Sequence, residues 1–321
     1  MTLRVAIVQR APVYGDAEAS MKLFERSVEE AQRAGARLVV VGETWLPGYP
    51  AWIDHCPSAA IWDQPDVKDL YARLRRESVV VGGALCDRLA DAARTHGVVL
   101  VIGIQERVDE GPGSGTLYNS ALIFDADGRL LNHHRKLVPT FSEKLLWGYG
   151  DAAGLRAVKT AVGRVGALIC WEHWMPLARQ ALHDSGELIH VALWPWVHEK
   201  HQVASRHYAF EGRCFVLAAG SIQRASDLPP ELETPEATPE FLLRGGSAVY
   251  APDFSIVVEP QLDDEAIVYA ELDLELRDRE LLTMDVGGHY SREDVLRLRV
   301  RRHRAGHGGD RHRQRRKPEA D

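Results

Sequence analysis

Cysteine is scarce in this chain of 321 residues. The four present, Cys56, Cys86, Cys170 and Cys214, form no CxxC pair and no Cys/His cluster at zinc spacing. That argues against a disulfide scaffold or a structural metal, and for free thiols in a reducing compartment. No apolar run is long enough to span a membrane. The opening MTLRVAIVQRAP reads as a core strand and lacks the long apolar region of a secretory signal. The expected location is therefore the cytoplasm. No repeat short enough for a solenoid is found. Charge of one sign does not dominate either. The formal net charge is −7, with 45% hydrophobic and 26% charged residues, ordinary for a soluble globular protein.

What is there divides unevenly. Residues 1–299 have the composition of a domain large enough to bury its own core. Residues 300–321, VRRHRAGHGGDRHRQRRKPEAD, are rich in Arg, His and Gly and almost free of apolar side chains. Such a segment is expected to be disordered. It is read as a solubilising or assembly tail, with nucleic acid not expected as a partner.

Within the domain, periodicity predicts strands at 3–9, 37–43, 97–106, 163–170, 188–195 and 214–221, and helices at 17–34, 66–76, 86–96, 174–184 and 199–212. A hairpin is predicted over 116–136 with Asp127-Gly128 at its turn. Residues 52–65 and 225–240 read as loops, and two late runs, GGSAVYAPDFSIVVEP and AIVYAEL, as antiparallel strands closing a sheet. Strand–helix units mixed with hairpins predict an α/β fold with mixed sheets covered by helices, duplicated into a layered sandwich.

Three reactive side chains then fall at predicted strand ends: Glu43 in VVVGETWLPGYP, Lys136 in HHRKLVPT and Cys170 in ALICWEHWMP. Strand ends opening into loops are where α/β folds hold ligands. Alone, each has a commonplace reading. Free cysteines are usually buried filler, and a lone strand-end Glu or Lys is usually solvated.

Together, and in this order, the motifs resemble the nitrilase superfamily. The resemblance covers almost all of residues 3–300. It rests on GETWLPGYP, HRKLVPT, SEKLLWGYGD at 142–151, ICWEHWMPL, and a late DVGGHYSRED at 285–294. It implies a four-layer α-β-β-α sandwich, dimers built through helix faces and often larger spiral homo-oligomers, and a catalytic set of Glu43, Lys136 and Cys170. Glu143 resembles the second glutamate, which positions the lysine and the water. No cofactor and no metal are implied, and the partner is a small-molecule nitrile.

The chemistry gives that set independent sense. A nitrile carbon is a soft electrophile that a thiolate attacks and a neutral thiol does not. Cys170 therefore needs a base, which Glu43 supplies. Lys136 and the Trp171 backbone N–H stabilise the charge that develops on nitrogen. One glutamate can serve both halves of the reaction by switching protonation state.

Trp171 and Glu172 after the cysteine resemble the nitrile-cleaving branch. His173 stands where many nitrilases carry Asn and some carry His, including cyanide- and arylacetonitrile-active ones. Trp45, Tyr49, Trp171, His173, Trp194 and Trp196 are the expected substrate-binding residues. The alternatives are an amidase of the same superfamily, releasing ammonia from an amide, and a cyanide-hydrolysing member.

Overall fold

The computed structural model describes residues 2–111 and 113–302. The predicted tail therefore falls, from residue 303 onward, outside the described residues. The first half runs β1 (Thr2–Gln9), α1 (Ala17–Arg33), β2 (Leu38–Leu46), α2 (Trp52–His55), α3 (Pro65–Glu77), β3 (Val79–Val80), α4 (Ala84–His96), β4 (Val99–Arg107), β5 (Leu117–Phe124) and β6 (Leu130–Arg135). The second half runs β7 (Val158–Thr160), β8 (Gly163–Ile169), α5 (Pro176–His183), β9 (Ile189–Leu193), α6 (Glu199–Gly212), β10 (Phe215–Ala219), β11 (Ile222–Arg224), β12 (Phe241–Tyr250), β13 (Ile256–Leu262), β14 (Ala266–Asp273) and α7 (Glu275–Glu280).

These strands build two mixed sheets, in the orders β14-β1-β2-β4-β5-β6 and β11-β12-β10-β9-β8-β7, with β3 beside β4 and β13 beside β12. Alternation along each strand sorts the layers. Val5, Ile7, Leu38 and Val40 face the second sheet, meeting Ala167, Ile169, Val191 and Leu217 in one core. Their neighbours Ala6, Val8, Val39 and Val41 face outward onto Met21, Phe24 and Val28 of α1 and Leu89 of α4. Helix α6 covers β10 and β12 on the far side. The result is helix, sheet, sheet, helix. Asp16 caps α1 by accepting from the Ala19 N–H at 2.8 Å, and Gly97 ends α4 in the left-handed conformation at φ 61°.

Three expectations are corrected. The stretch 52–65 is not all loop: it forms α2 and a 3-10 turn over Pro57–Ala60. The late strands do not close one sheet. β12 and β13 extend the second, while β14 crosses to pair antiparallel with β1, Thr2 opposite Asp273. That pairing covers an otherwise open edge. Nor does β2 end at Glu43. It continues to Leu46 through a bulge, since Val41 pairs with Ile102 but Leu46 with Ile104. Of residues 285–294, Val286 and Gly287 lie against the end of α5, where Gln180 Nε2 donates to the Val286 carbonyl at 3.2 Å.

Candidate active site

The bulge in β2 is what aims Glu43. Thr44 takes a positive φ of 43°, which turns the strand out of regular pleating. The bulged backbone presses on β4 at Gly103, where a Cβ would lie 2.3 Å from the Gly42 carbonyl oxygen. Glycine is the residue that position admits. Lys136 follows directly on β6, its N–H donating to the Asn119 carbonyl at 2.8 Å. Cys170 opens a 3-10 turn, Cys170–Trp174, at the end of β8. Its φ is 53°, a left-handed conformation that a non-glycine residue holds only when its surroundings enforce it.

Glu172 provides much of that enforcement. Its carboxylate accepts from the Ile169 N–H at 2.7 Å, the Leu137 N–H at 2.8 Å and His134 Nε2 at 2.9 Å. One buried anion thus ties the end of β8 to the residue after Lys136. Burial would raise the Glu172 carboxyl, but His134 and the two N–H groups outweigh it and lower it. His173 completes the clamp, with Nδ1 donating to the Cys170 carbonyl at 2.7 Å.

The site proper is a buried knot. Lys136 Nζ donates to Glu43 Oε1 at 2.9 Å and to Glu143 Oε2 at 2.6 Å. Asn119 Nδ2 also donates to Glu43 Oε1, at 2.6 Å. Glu43 Oε2 is buried without a partner. Glu143 sits in the 3-10 turn Phe141–Leu145, where it completes a capping box with Thr140 and accepts from the Tyr49 hydroxyl at 3.1 Å. Among the described residues, Glu43, Glu143 and Cys170 bring their ligand atoms within 4.8 Å of one another. Two carboxylates and a sulfur would suit a cation, and the Lys136 ammonium already bonds both carboxylates in that role.

Proton affinities follow from this packing. Burial pushes the Glu43 carboxyl up to about 7, with Lys136 opposing and Glu143 adding to the rise. Burial and the Glu43 charge drive the Cys170 thiol well above its ordinary value, against the pull of Lys136 and the Trp171 N–H. Burial works to strip Lys136 of its proton, but Cys170, Glu143 and Glu43 together hold the ammonium well above its usual range. Near neutral pH the site thus holds a protonated thiol beside a glutamate poised between its acid and carboxylate forms, with one oxygen free.

Glu43, Lys136, Glu143 and Cys170 therefore meet as one cluster. The six expected substrate-binding residues do not. Tyr49, Trp171 and Trp196 line a cavity of about 280 Å³ that opens from Cys170 and Glu143. Trp45 lies instead in the helix-facing core, 6.3 Å from Phe24, with Nε1 donating to the Arg10 carbonyl at 2.6 Å. Trp194 is fully buried behind the cavity, sandwiched between His173 at 4.7 Å and His201 at 4.1 Å. His173 is buried too, its Nε2 turned toward His190 Nε2 at 2.9 Å.

Sequence reasoning missed Asn119, Glu172 as a clamp, and Asp54, His201, Leu242 and Leu243 on the cavity wall. Glu172 had a readable signal: an acid three residues into a tight turn suits the capping position. The others come from elements distant in sequence and carried none.

A family model for carbon–nitrogen hydrolases matches residues 4–279. A nitrilase of Paraburkholderia phymatum is 36% identical over 306 residues, spanning 93% of this chain and 86% of its own. An aliphatic nitrilase of Sinorhizobium fredii is 37% identical over 305 residues, spanning 92% of this chain and 95% of its own. The fold resembles the crystal structure of a branch 10 member of the nitrilase superfamily from Saccharomyces cerevisiae, with TM-score 0.69 at 20% identity over 90% of this chain and 96% of that one.

Proposed function

The chain belongs to the carbon–nitrogen hydrolase family, and from that premise we propose that it is a nitrilase converting an organic nitrile to its carboxylic acid and ammonia. The observation that carries this reading is the buried convergence of Glu43, Glu143 and Cys170 about Lys136 at the floor of an aromatic-walled cavity.

Glu43 Oε2, free of partners, takes the Cys170 proton as sulfur attacks the nitrile carbon. The S–C bond forms, one C–N π bond breaks, and the nitrogen receives the proton to give a thioimidate. Lys136 and the Trp171 N–H stabilise the charge on nitrogen as it develops. Water, activated by Glu43, adds to the thioimidate carbon. The C–N bond then breaks and ammonia leaves, protonated on its way out, which yields a thioester. A second water, again with Glu43 as base, releases the acid and returns the thiol. Glu143 holds Lys136 in place. A Glu43 affinity near neutrality suits a group that must both take and give a proton.

The homo-oligomer and the cytoplasmic setting belong to the same reading. Among the described residues no helix is long and apolar enough to cross a membrane. Trp174, Leu177 and Val203 lie exposed along the turn after Cys170 and on α5 and α6, and a second copy packing there would bury them. Leu177→Glu with Val203→Glu should then shift the solution mass toward the monomer.

The test is ammonia release from a panel of nitriles beside their matching amides. Turnover of nitriles, with a slow nitrile adding its mass to the Cys170 peptide and not to the Cys214 peptide, supports the proposal. Release from amides alone makes the protein an amidase. Full activity in folded Cys170→Ala overturns the mechanism.

A further inference from the structure

We infer that the mouth of the Cys170 cavity selects nitriles whose far end carries a positive charge or a hydrogen-bond donor, and disfavours those carrying a carboxylate. The inference rests on the reading that a nitrile reacts at Cys170, and it names the substrate class that this chain's own wall residues favour.

Cys170, Glu143, Trp171, Trp196, Asp54 and His201 line one cavity. Cys170 and Glu143 are buried, while Asp54 is exposed and so stands at the solvent side, with the half-buried His55 next to it. At about 280 Å³ it has room for an aromatic ring and a short chain. Asp54 lies in α2 and accepts a hydrogen bond from the Ser142 hydroxyl. Among the described residues it has no ion-pair partner. Its charge is felt at Tyr49, where it helps burial raise the phenol. His201 stands on α6. Its Nδ1 lies 2.8 Å from the Trp196 carbonyl, which can only accept, so Nδ1 carries the proton. The ring is stacked on Trp194 at 4.1 Å. Burial pulls His201 down to about 4, so the ring is neutral at pH 7 and Nε2 presents a lone pair.

The cavity wall therefore offers the Asp54 carboxylate and the His201 imidazole acceptor, with His55 as the second histidine on it. No Lys or Arg is among its described lining residues. Lys136 is committed to two carboxylates below the floor, and Lys200 is exposed on α6 without lining the cavity. A substrate carboxylate would lose water and meet neither Lys nor Arg, with the Asp54 charge opposing it. An ammonium or hydroxyl would meet acceptors already in place.

Three phenylacetonitriles of similar size test this, with para-aminomethyl, para-hydroxymethyl and para-carboxylate groups. Their binding to folded Cys170→Ala is read from tryptophan fluorescence, which needs no turnover. The aminomethyl compound should bind about tenfold more tightly than the carboxylate at low salt. The gap should narrow in high salt and collapse in Cys170→Ala/Asp54→Asn. His201→Phe should erase the advantage of the hydroxymethyl compound over phenylacetonitrile itself. Equal or tighter binding of the carboxylate, or a charge preference that survives Asp54→Asn, overturns the inference. If the binding order holds while the wild-type protein releases no ammonia from any nitrile of the panel, the nitrilase reading fails and the selectivity of the cavity stands.

Discussion

Glu43 and Glu187 are both fully buried glutamates, one on β2 in the first sheet and one just before β9 in the second. Their proton affinities lie far apart. Glu43 is pushed up to about 7. Glu187 is held down at about 2, because His190 and His183 overrule the effect of burial. The difference lies in how their lone pairs are filled. Glu43 takes both its hydrogen bonds on Oε1 and leaves Oε2 bare. Glu187 meets His183 Nδ1 at 3.1 Å and the Tyr208 hydroxyl on Oε1, and His190 Nδ1 at 2.9 Å on Oε2. Beyond it the chain of contacts continues through His190 to His173 and the Cys170 carbonyl. One carboxylate is left open for proton traffic, while the other is saturated and braces the turn that carries the nucleophile. Glu106 repeats the second pattern on β4, lowered to about 2 by His133 and Arg135 against the effect of burial.

The sharpest way to break this comparison is to neutralise each glutamate. Glu43→Gln should lower kcat by about 100- to 1000-fold, the size of losing a charge-stabilising donor or general base. Its stability should change little, since Lys136 keeps Glu143. Glu187→Gln should do the reverse. It takes from His190 its anion and leaves His183 only the partly exposed Glu211, a loss of about 3 kcal/mol in folding free energy, while the rate per folded molecule changes far less. Denaturant melts and active-site titration of both variants decide the matter. A Glu187→Gln protein that melts normally but loses its rate would make that cluster part of the chemistry.

Removing the hydrogen bond from Asn119 sharpens the comparison from the other side. That bond lowers the Glu43 carboxyl against the larger effect of burial. Without it, in Asn119→Ala, the carboxylate should form only at higher pH. The acid limb of kcat/KM should move upward from about 7. At neutral pH the rate should fall about tenfold, in line with a hydrogen bond to a charged group. If Asn119 only filled space, the limb would stay in place while stability fell.

The pH dependence of stability should separate the two groups without any mutation. Glu187 and Glu106 have folded values near 2 against 4.5 unfolded. Their contribution is complete above pH 4.5 and is lost as pH falls toward 2. His183 is the opposite case, raised to about 9 from 6.5 by Glu187 and Glu211 against the effect of burial. Its contribution is complete below pH 6.5 and fades as pH rises through 9. Glu43 binds its proton more tightly folded than unfolded, so its share of stability declines as pH climbs from 4.5 to 7. Unfolding curves across these windows should show the acid loss steepest, because two carboxylates titrate there together, and the Glu43 and His183 slopes shallower and alike. A flat profile between pH 4.5 and 2 would mean that the saturated carboxylates are not charged in the fold.

Much of this architecture was legible in the sequence because its signals are local. The 17-residue α1 carries its start in the Asp16 cap and its buried face in its periodicity, and the hairpin turn at Asp127-Gly128 falls between β5 and β6. Glu43 and Cys170 could be picked out because each stands near the end of an apolar run, and Lys136 because it ends the predicted hairpin. Period-two patterns did not reveal the bulge at Thr44, since a bulge breaks the alternation that defines a strand. They gave no sign either that β14 would join β1, because both candidate partners offer the same edge chemistry. The tryptophans were the least readable. Residue type marks a side chain as large and apolar, but not which face of a sheet receives it.

Trp45 yields the smallest expected effect and tests that last point. It lies two residues beyond Glu43, yet the bulge sends the two side chains to different places. Glu43 joins the buried knot, and Trp45 packs beside Phe24 under α1. Trp45→Phe keeps a ring there and deletes the hydrogen bond to the Arg10 carbonyl. The cost should be about 1 kcal/mol of stability, the worth of one such bond, with kcat and KM for aryl nitriles unchanged. Trp196→Phe, altering a residue on the cavity wall, should instead raise KM and leave stability nearly intact. If Trp45→Phe lowers kcat with KM held, the packing of the helix layer reaches Glu43 through the bulge. The open carboxylate would then owe its poise to the core behind β2 as well as to its own empty oxygen.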